Sequence, residues 1–252
     1  MDFLLLALAF FQTSPIPVAE TPAYLEQVLV DARAEYPEVE FELHLESPLV
    51  VASADVRGGR KFVRLDGGLL RSPRLNADIL RFVICHELGH LYGGAPRRQL
   101  PPEWTGDRAP DGLSLLSGEG QSDYYAASAC FHLLAHANET ETGFLSPAEE
   151  SELDRRCVNA RDLVLCRRNA RAGLGLLTLV KEFPISFLTP SPERVKVTNA
   201  DTYPSRQCRL DTILAGALCR MPLGKRGDPL DPRHGACGDP EAERPLCWFA
   251  PR

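Results

Sequence analysis

The 252-residue sequence has no C-x-x-C pair, no block of like charge and no apolar run long enough to cross a membrane. The first absence excludes zinc ribbons and thioredoxin-type redox motifs. The second excludes a basic nucleic-acid-binding surface, because phosphate recognition needs concentrated positive charge and the net charge here is −6. The third excludes spanning helices, which need about 20 apolar residues. No internal repeat is found. What is present is an ordinary globular composition: 44% hydrophobic positions are too many for a wholly disordered chain, and the length can bury a sizeable core.

The start of the chain carries its own signal. Phe3 to Phe11 (FLLLALAFF) is an unbroken apolar run of nine residues, followed by the polar, Pro-containing stretch QTSPIPVA. That pattern predicts a secretory leader over 1–19, with cleavage after Ser14 or Ala19, and export to the periplasm or beyond. The charge pattern is poor for a leader, since Asp2 is acidic and the first basic side chain is Arg33. The alternative is an N-terminal helix packed into the core.

Eight cysteines, an even number, agree with an oxidising compartment and allow up to four disulfides. If QCRLDTILAGALC is one helix, Cys208 and Cys219 stand about 16 Å apart at 1.5 Å per residue. Disulfide Cα separations stay under about 7 Å, so each of the two should bond elsewhere. Cys237 and Cys247 lie in a Pro/Gly-rich coil and are candidates for a local loop worth about 3 kcal/mol. Cys85, directly before a histidine motif, is a candidate buried free thiol.

Periodicity supplies the elements. Residues 21–36 show helical spacing in Leu25, Val28, Leu29 and Ala32, with Pro37 ending the run. Val39–Glu46 alternates apolar and polar, the pattern of a half-buried strand. Leu49–Ala54 and Lys61–Leu65 read as two further strands joined through Arg57-Gly58-Gly59, a hairpin connection. Pro73–Leu91 reads as a helix stopped by Gly93-Gly94. The Gly- and Pro-rich stretch 93–117 reads as an ordered loop or lid. Helices are predicted over 118–136 and over 147–183, the second broken near Gly173–Gly175. Residues 223–252 read as a cross-linked coil. The fold class expected is α+β, a small antiparallel sheet packed on helices with a disulfide-stapled C-terminal coil.

Residues 86–90 read His-Glu-Leu-Gly-His inside the predicted helix over Pro73–Leu91. Histidines at i and i+4 lie on one helix face, so both imidazoles can reach one cation. Glu87 lies beside that face, placed to act on a water molecule rather than to ligate. Chance yields this pattern roughly 0.01 times in such a chain, against a background of accidental pairs on amphipathic helices.

A catalytic zinc site needs three protein ligands, and no third histidine follows His90 at the metzincin offset. Glu119, in GEGQSDYYAA near the start of the next helix, is the best candidate. Asp123 follows one helical turn later, where an acid can orient a zinc-bound imidazole through its free N–H. The bland alternative is a solvated acidic pair at a helix N-terminus. Glu103, Asp107 and Asp111 are rival ligands without such a partner. His132 and His136 share i,i+4 spacing but lack the intervening acid, and read as surface or interface histidines or a secondary site. His44 reads as exposed.

HELGH followed by E-x-x-S-D-x-x-A (Glu119, Ser122, Asp123, Ala126) resembles the gluzincin metallopeptidases, specifically the prenyl-protein and heat-shock membrane peptidase group. The chain departs from that group in having Ser122 for Ala and in lacking transmembrane helices. EGQSDYYA, YPSRQCRLDT (203–212) and RPLCWF (244–249) are also similar to uncharacterised secreted bacterial proteins of this type. The resemblance implies a zincin-like metallopeptidase domain over 20–183 with a Cys/Pro-rich extension over 184–252. It implies Zn2+ on His86, His90 and Glu119, with Asp123 supporting a ligand. Glu87 would be the general base in hydrolysis of a peptide or protein substrate. Tyr124, Tyr203 and His234 are open candidates for an oxyanion donor. By analogy with this fold class, the strand at Phe62–Leu65 is expected to be an edge to which substrate adds by backbone pairing. The competing expectation is a secreted zinc-containing binding module without turnover.

Overall fold

A computed structural model describes residues 21–101, 106–136, 145–220 and 226–251. The expected leader and Glu103 lie outside the described residues. Helix α1 (Leu25–Glu35) buries Leu25, Val28, Leu29 and Ala32, the stripe its spacing predicts. Strands β1 (Val39–His44), β2 (Ala52–Arg57) and β3 (Arg60–Asp66) form one sheet in the order β1-β3-β2. β2 and β3 are a hairpin in which Arg57 faces Arg60 across Gly58-Gly59. Both glycines have positive φ, +58° and +76°, which matches the twist a two-residue turn requires.

The sheet is mixed, not antiparallel as expected, because β1 runs parallel to β3 with Val39 beside Lys61. Residues 45–51, instead of turning back as a hairpin, pack on the short helix α2 (Gly67–Leu70). There Gly68 N donates to Ser47 O and Leu69 N to Leu49 O. β3 is therefore the central strand and not an edge; β1 and β2 are the edges. The β2 strand also starts later than its apolar pattern suggests, since the glycine turn fixes the register.

Helix α3 (Ala77–Tyr92) is the hub of the fold. Asn76 caps it, its side chain accepting from Ile79 N at 2.9 Å, and every residue from Asp78 to Tyr92 is buried. A helix buried on all sides must satisfy its polar residues internally. Asp78 does so with Arg168, whose Nε and Nη2 lie 3.0 and 2.7 Å from its carboxylate oxygens. Around α3 stand the sheet, α1 and the next helical unit: α4 (Glu119–Tyr125), a π-helical turn over Ala126–Cys130 and α5 (Phe131–Leu134).

The expected helix over 147–183 is two helices, α6 (Pro147–Cys157) and α7 (Leu163–Thr178). The break falls at 158–162, where Asp162 caps α7 through Leu165 N. Gly173 and Gly175 do not break α7. A Cβ at Gly173 would stand 2.4 Å from Ile213, and one at Gly175 would stand 2.5 Å from Ile79, so these glycines permit close packing. Ile213 belongs to α8 (Arg206–Ala217), which packs on α7, α4 and the π-helical turn.

Four disulfides close the described chain, and they fit an extracellular or otherwise oxidising compartment. Cys208 and Cys219 bond separately, as helix geometry requires, to Cys247 and Cys237. The expected Cys237–Cys247 loop is thus not formed: the coil is tied to the two ends of α8 and not to itself. Cys85 is not a free thiol. It joins Cys130, tying α3 to the π-helical turn with a Cα separation of 5.4 Å. Cys157 and Cys166 link α6 to α7. No described helix is long and apolar enough to cross a membrane.

Candidate metal centre

The α3–α4 contact is set by a glycine. A Cβ on Gly89 would lie 2.6 Å from Ser122 O and 2.7 Å from Ser122 Cα, so the two backbones touch there. His86 and His90 project from α3 on either side of this point, one helical turn apart. Glu119 begins α4, and the contact carries its carboxylate to both rings. His86 Nε2 lies 3.3 Å from Glu119 Oε2, and His90 Nε2 lies 3.6 Å from Glu119 Oε1. All three side chains are buried, and one ligand atom from each lies within 4.8 Å of the other two.

The far sides of both rings are engaged. His86 Nδ1 faces Asp123 Oδ1 at 2.9 Å. His90 Nδ1 faces Ser117 O at 2.9 Å and Ser122 Oγ at 2.8 Å. Both rings thus turn Nε2 toward Glu119, the nitrogen a metal ion would take in place of a proton. Asp123 is itself fixed by Arg209 of α8, with contacts of 2.6 and 2.8 Å. The guanidinium of Arg98 bonds Glu119 Oε1. Glu119 Oε2 is buried and has no hydrogen-bond partner among the described residues.

Charge distinguishes the two histidines. Burial opposes the charged form of both. At His86 the carboxylates of Asp123 and Glu119 overcome that cost and push the pKa up to about 10. At His90, whose outer partners are neutral, burial and then the His86 and Arg98 charges hold it down at about 3. Glu119 is held far below the usual carboxylate range: burial raises it, but His86, His90 and Arg209 outweigh this. Positive charge is therefore favoured between His86 Nε2 and Glu119 Oε2. Two imidazole nitrogens and a carboxylate with an unbonded, buried oxygen fit a divalent cation of the zinc class.

Glu87, also buried, is pushed up to about 7, mainly by desolvation; the charges of Glu119 and of His86, Arg98 and Arg209 act in opposite directions on it. Of the oxyanion candidates only Tyr203 stands at this centre, exposed, with the Arg209 guanidinium carbon 5.4 Å from its ring centroid. Tyr124 instead donates to Ala242 O and supports the coil, and His234 is paired with Asp228 and Asp231. The rival ligands are engaged elsewhere. Asp107 accepts from Gly59 N, Asp111 pairs with Arg97, and His136 pairs with Asp31 at 2.8 Å. His44 is exposed.

Sequence reasoning missed Arg98, Arg209 and the carbonyl of Ser117. Arg209 lies 86 residues from Asp123, and only its place in YPSRQCRLDT drew notice. Arg98 sits in the loop read as a lid. Ser122, noted as a departure from Ala, is a partner of His90. No protein-family model, no curated protein and no solved structure matches this chain.

Proposed function

We propose that this protein is an exported zinc peptidase of gluzincin type with a zincin-like fold. The observation carrying the reading is the orientation of the two imidazoles: both Nε2 atoms converge on Glu119, while His86 Nδ1 faces Asp123 and His90 Nδ1 faces Ser117 O on the outer sides. When bound there, zinc supplies Lewis acidity, polarising a carbonyl and making a water molecule acidic near neutral pH. His86, His90 and Glu119 would hold the ion. Asp123, itself fixed by Arg209, orients His86, and Ser117 with Ser122 orients His90. Glu87, adjacent to the ligand face, takes the proton from water and passes it to the leaving amine. Arg98, which bonds Glu119, and Tyr203, beside Arg209, are the donors this reading offers to a developing oxyanion. The four disulfides and the apolar run Phe3–Phe11 support export.

Metal analysis of the purified protein together with casein cleavage tests this. One zinc per chain and cleavage abolished by Glu87→Gln, with zinc retained, are expected. Glu119→Gln should lower zinc content. A zinc-loaded protein that hydrolyses no unstructured substrate would instead be a binding module, and unchanged zinc affinity in Glu119→Gln would remove the third ligand.

A further inference from the structure

Glu119 carries a negative charge into a place that water does not reach, and such a charge is costly unless it is paired. Four basic side chains face it. His86 Nε2 and His90 Nε2 stand 3.3 and 3.6 Å from its two oxygens, and Arg209 Nη2 stands 3.9 Å from Oε2. Arg209 is committed to Asp123, engaging both of its oxygens. The fourth, Arg98, bonds Glu119 Oε1 directly.

These cations are not equivalent toward an incoming metal ion. A histidine makes way by losing its proton, whereas an arginine keeps its charge at any ordinary pH. Arg98 must therefore either remain as a like charge beside the metal or move off. Burial favours the second course for one partner only: the Glu119 side chain is 2% exposed and that of Arg98 is 32% exposed. The backbone beneath Arg98 is tied down. Arg98 N donates to Leu116 O, Ser114 N donates to Arg98 O, and Gln99 N donates to Asp201 Oδ1 at 2.6 Å. The loop thus stays in place and the side chain is the part that can swing to water.

We propose that Arg98 is an internal counter-cation of the metal centre, neutralising Glu119 until a divalent ion binds and then yielding the carboxylate to it. The proposal rests on the metal reading given above. It has two consequences of opposite sign. Arg98 stabilises the metal-free fold, because it pairs a buried acid. It also weakens metal binding, because two cations drawing on one carboxylate repel each other where little water screens them. An arginine that served only to brace the loop or to aim Glu119 would strengthen metal binding instead.

Competitive zinc titration and urea unfolding of the metal-free, disulfide-bonded protein separate these roles. Arg98→Met should bind zinc at least fivefold more tightly than wild type, while its metal-free form unfolds at lower urea. Arg98→Lys keeps the charge and should stay within about twofold of wild type in zinc affinity. Should Arg98→Met fail to fold, Arg98→Gln retains a donor for Glu119 without the charge, and the same gain in zinc affinity is expected. Neutral variants that bind zinc no more tightly than wild type would overturn the assignment. So would an Arg98→Met protein whose metal-free form is as stable as wild type, or an Arg98→Lys variant that gains as much affinity as Arg98→Met. Wild-type protein that takes up no zinc would overturn the peptidase reading together with this one, whereas zinc uptake without the gain in the neutral variants overturns the role of Arg98 alone.

Discussion

At the α3–α4 contact the outer sides of the His86 and His90 rings face Asp123 Oδ1 and Ser117 O, both at 2.9 Å, whereas in the coil over 226–251 the Arg244 guanidinium has no carboxylate among the described residues within ion-pair distance. The first region is assembled from α3, α4, α8 and the loop between α3 and α4, each bringing a polar group that another completes. The second is held by cystines to α8 and by Trp248, which packs against Gly120 so closely that a Cβ there would stand 2.4 Å from its ring. A buried polar group completed by neighbours acts as architecture. Within the metal centre the same contrast recurs in milder form, with His86 backed by charge and His90 by neutral oxygens.

The sharpest way to break the comparison is Asp123→Ala. It strips His86 of its orienting partner and leaves Arg209 buried without its carboxylate, a loss of about 3–5 kcal/mol. Zinc affinity should fall roughly 10- to 100-fold. Denaturant unfolding and a competitive zinc titration read both effects. If the stability falls but zinc affinity is unchanged, the pair is structural only. Next comes Cys208→Ser with Cys247→Ser, which frees the coil and should cost about 2–4 kcal/mol. Zinc content should survive this change if the coil and the centre are separate assemblies.

Gly89→Ala presses a methyl group into Ser122 backbone and should cost about 1–3 kcal/mol. Unlike the cystine variant it should also lower zinc affinity, because separating the helices moves Glu119 from the rings. An alanine variant as stable and as zinc-competent as the parent would contradict the proposed role of that contact. Tyr124→Phe tests the coil. The hydroxyl donates to Ala242 O and accepts from Cys237 N, and its loss should cost about 1 kcal/mol. Burial holds this phenol up at about 12 against 10.0 in the unfolded chain. Its stabilisation is therefore fully present below pH 10 and lost as pH rises through about 12. The variant should lose less stability than the parent across that window. The smallest effect is expected from Ser122→Ala, under about 1 kcal/mol and with little change in zinc affinity, since Ser117 O still holds His90 Nδ1. A large loss of zinc there would show that the neutral partners matter as much as the charged one.

The helix bearing His86, Glu87 and His90 was legible because i,i+4 spacing maps directly onto one face, and the carboxylate pair was legible because Glu119 and Asp123 lie one turn apart on the next helix. The pairing of β1 with β3 was not legible: alternation marks a strand but says nothing about its neighbour. The fate of Gly173 and Gly175 was misread because a small residue that admits Ile213 and Ile79 looks, in sequence, like a helix breaker. Cys85 offered no clue to Cys130, since connectivity depends on which surfaces meet.

Local pattern by itself determined which residues carry the chemistry: a short-range helical repeat fixes where two imidazoles and an acid point relative to one backbone. Only the tertiary structure decided that Gly89 brings α4 within reach, that Arg209 comes from a distant helix to hold Asp123, and that Cys85 meets Cys130. Those outcomes depend on packing between segments far apart in the chain, and packing is a property of surfaces that no single stretch of sequence contains.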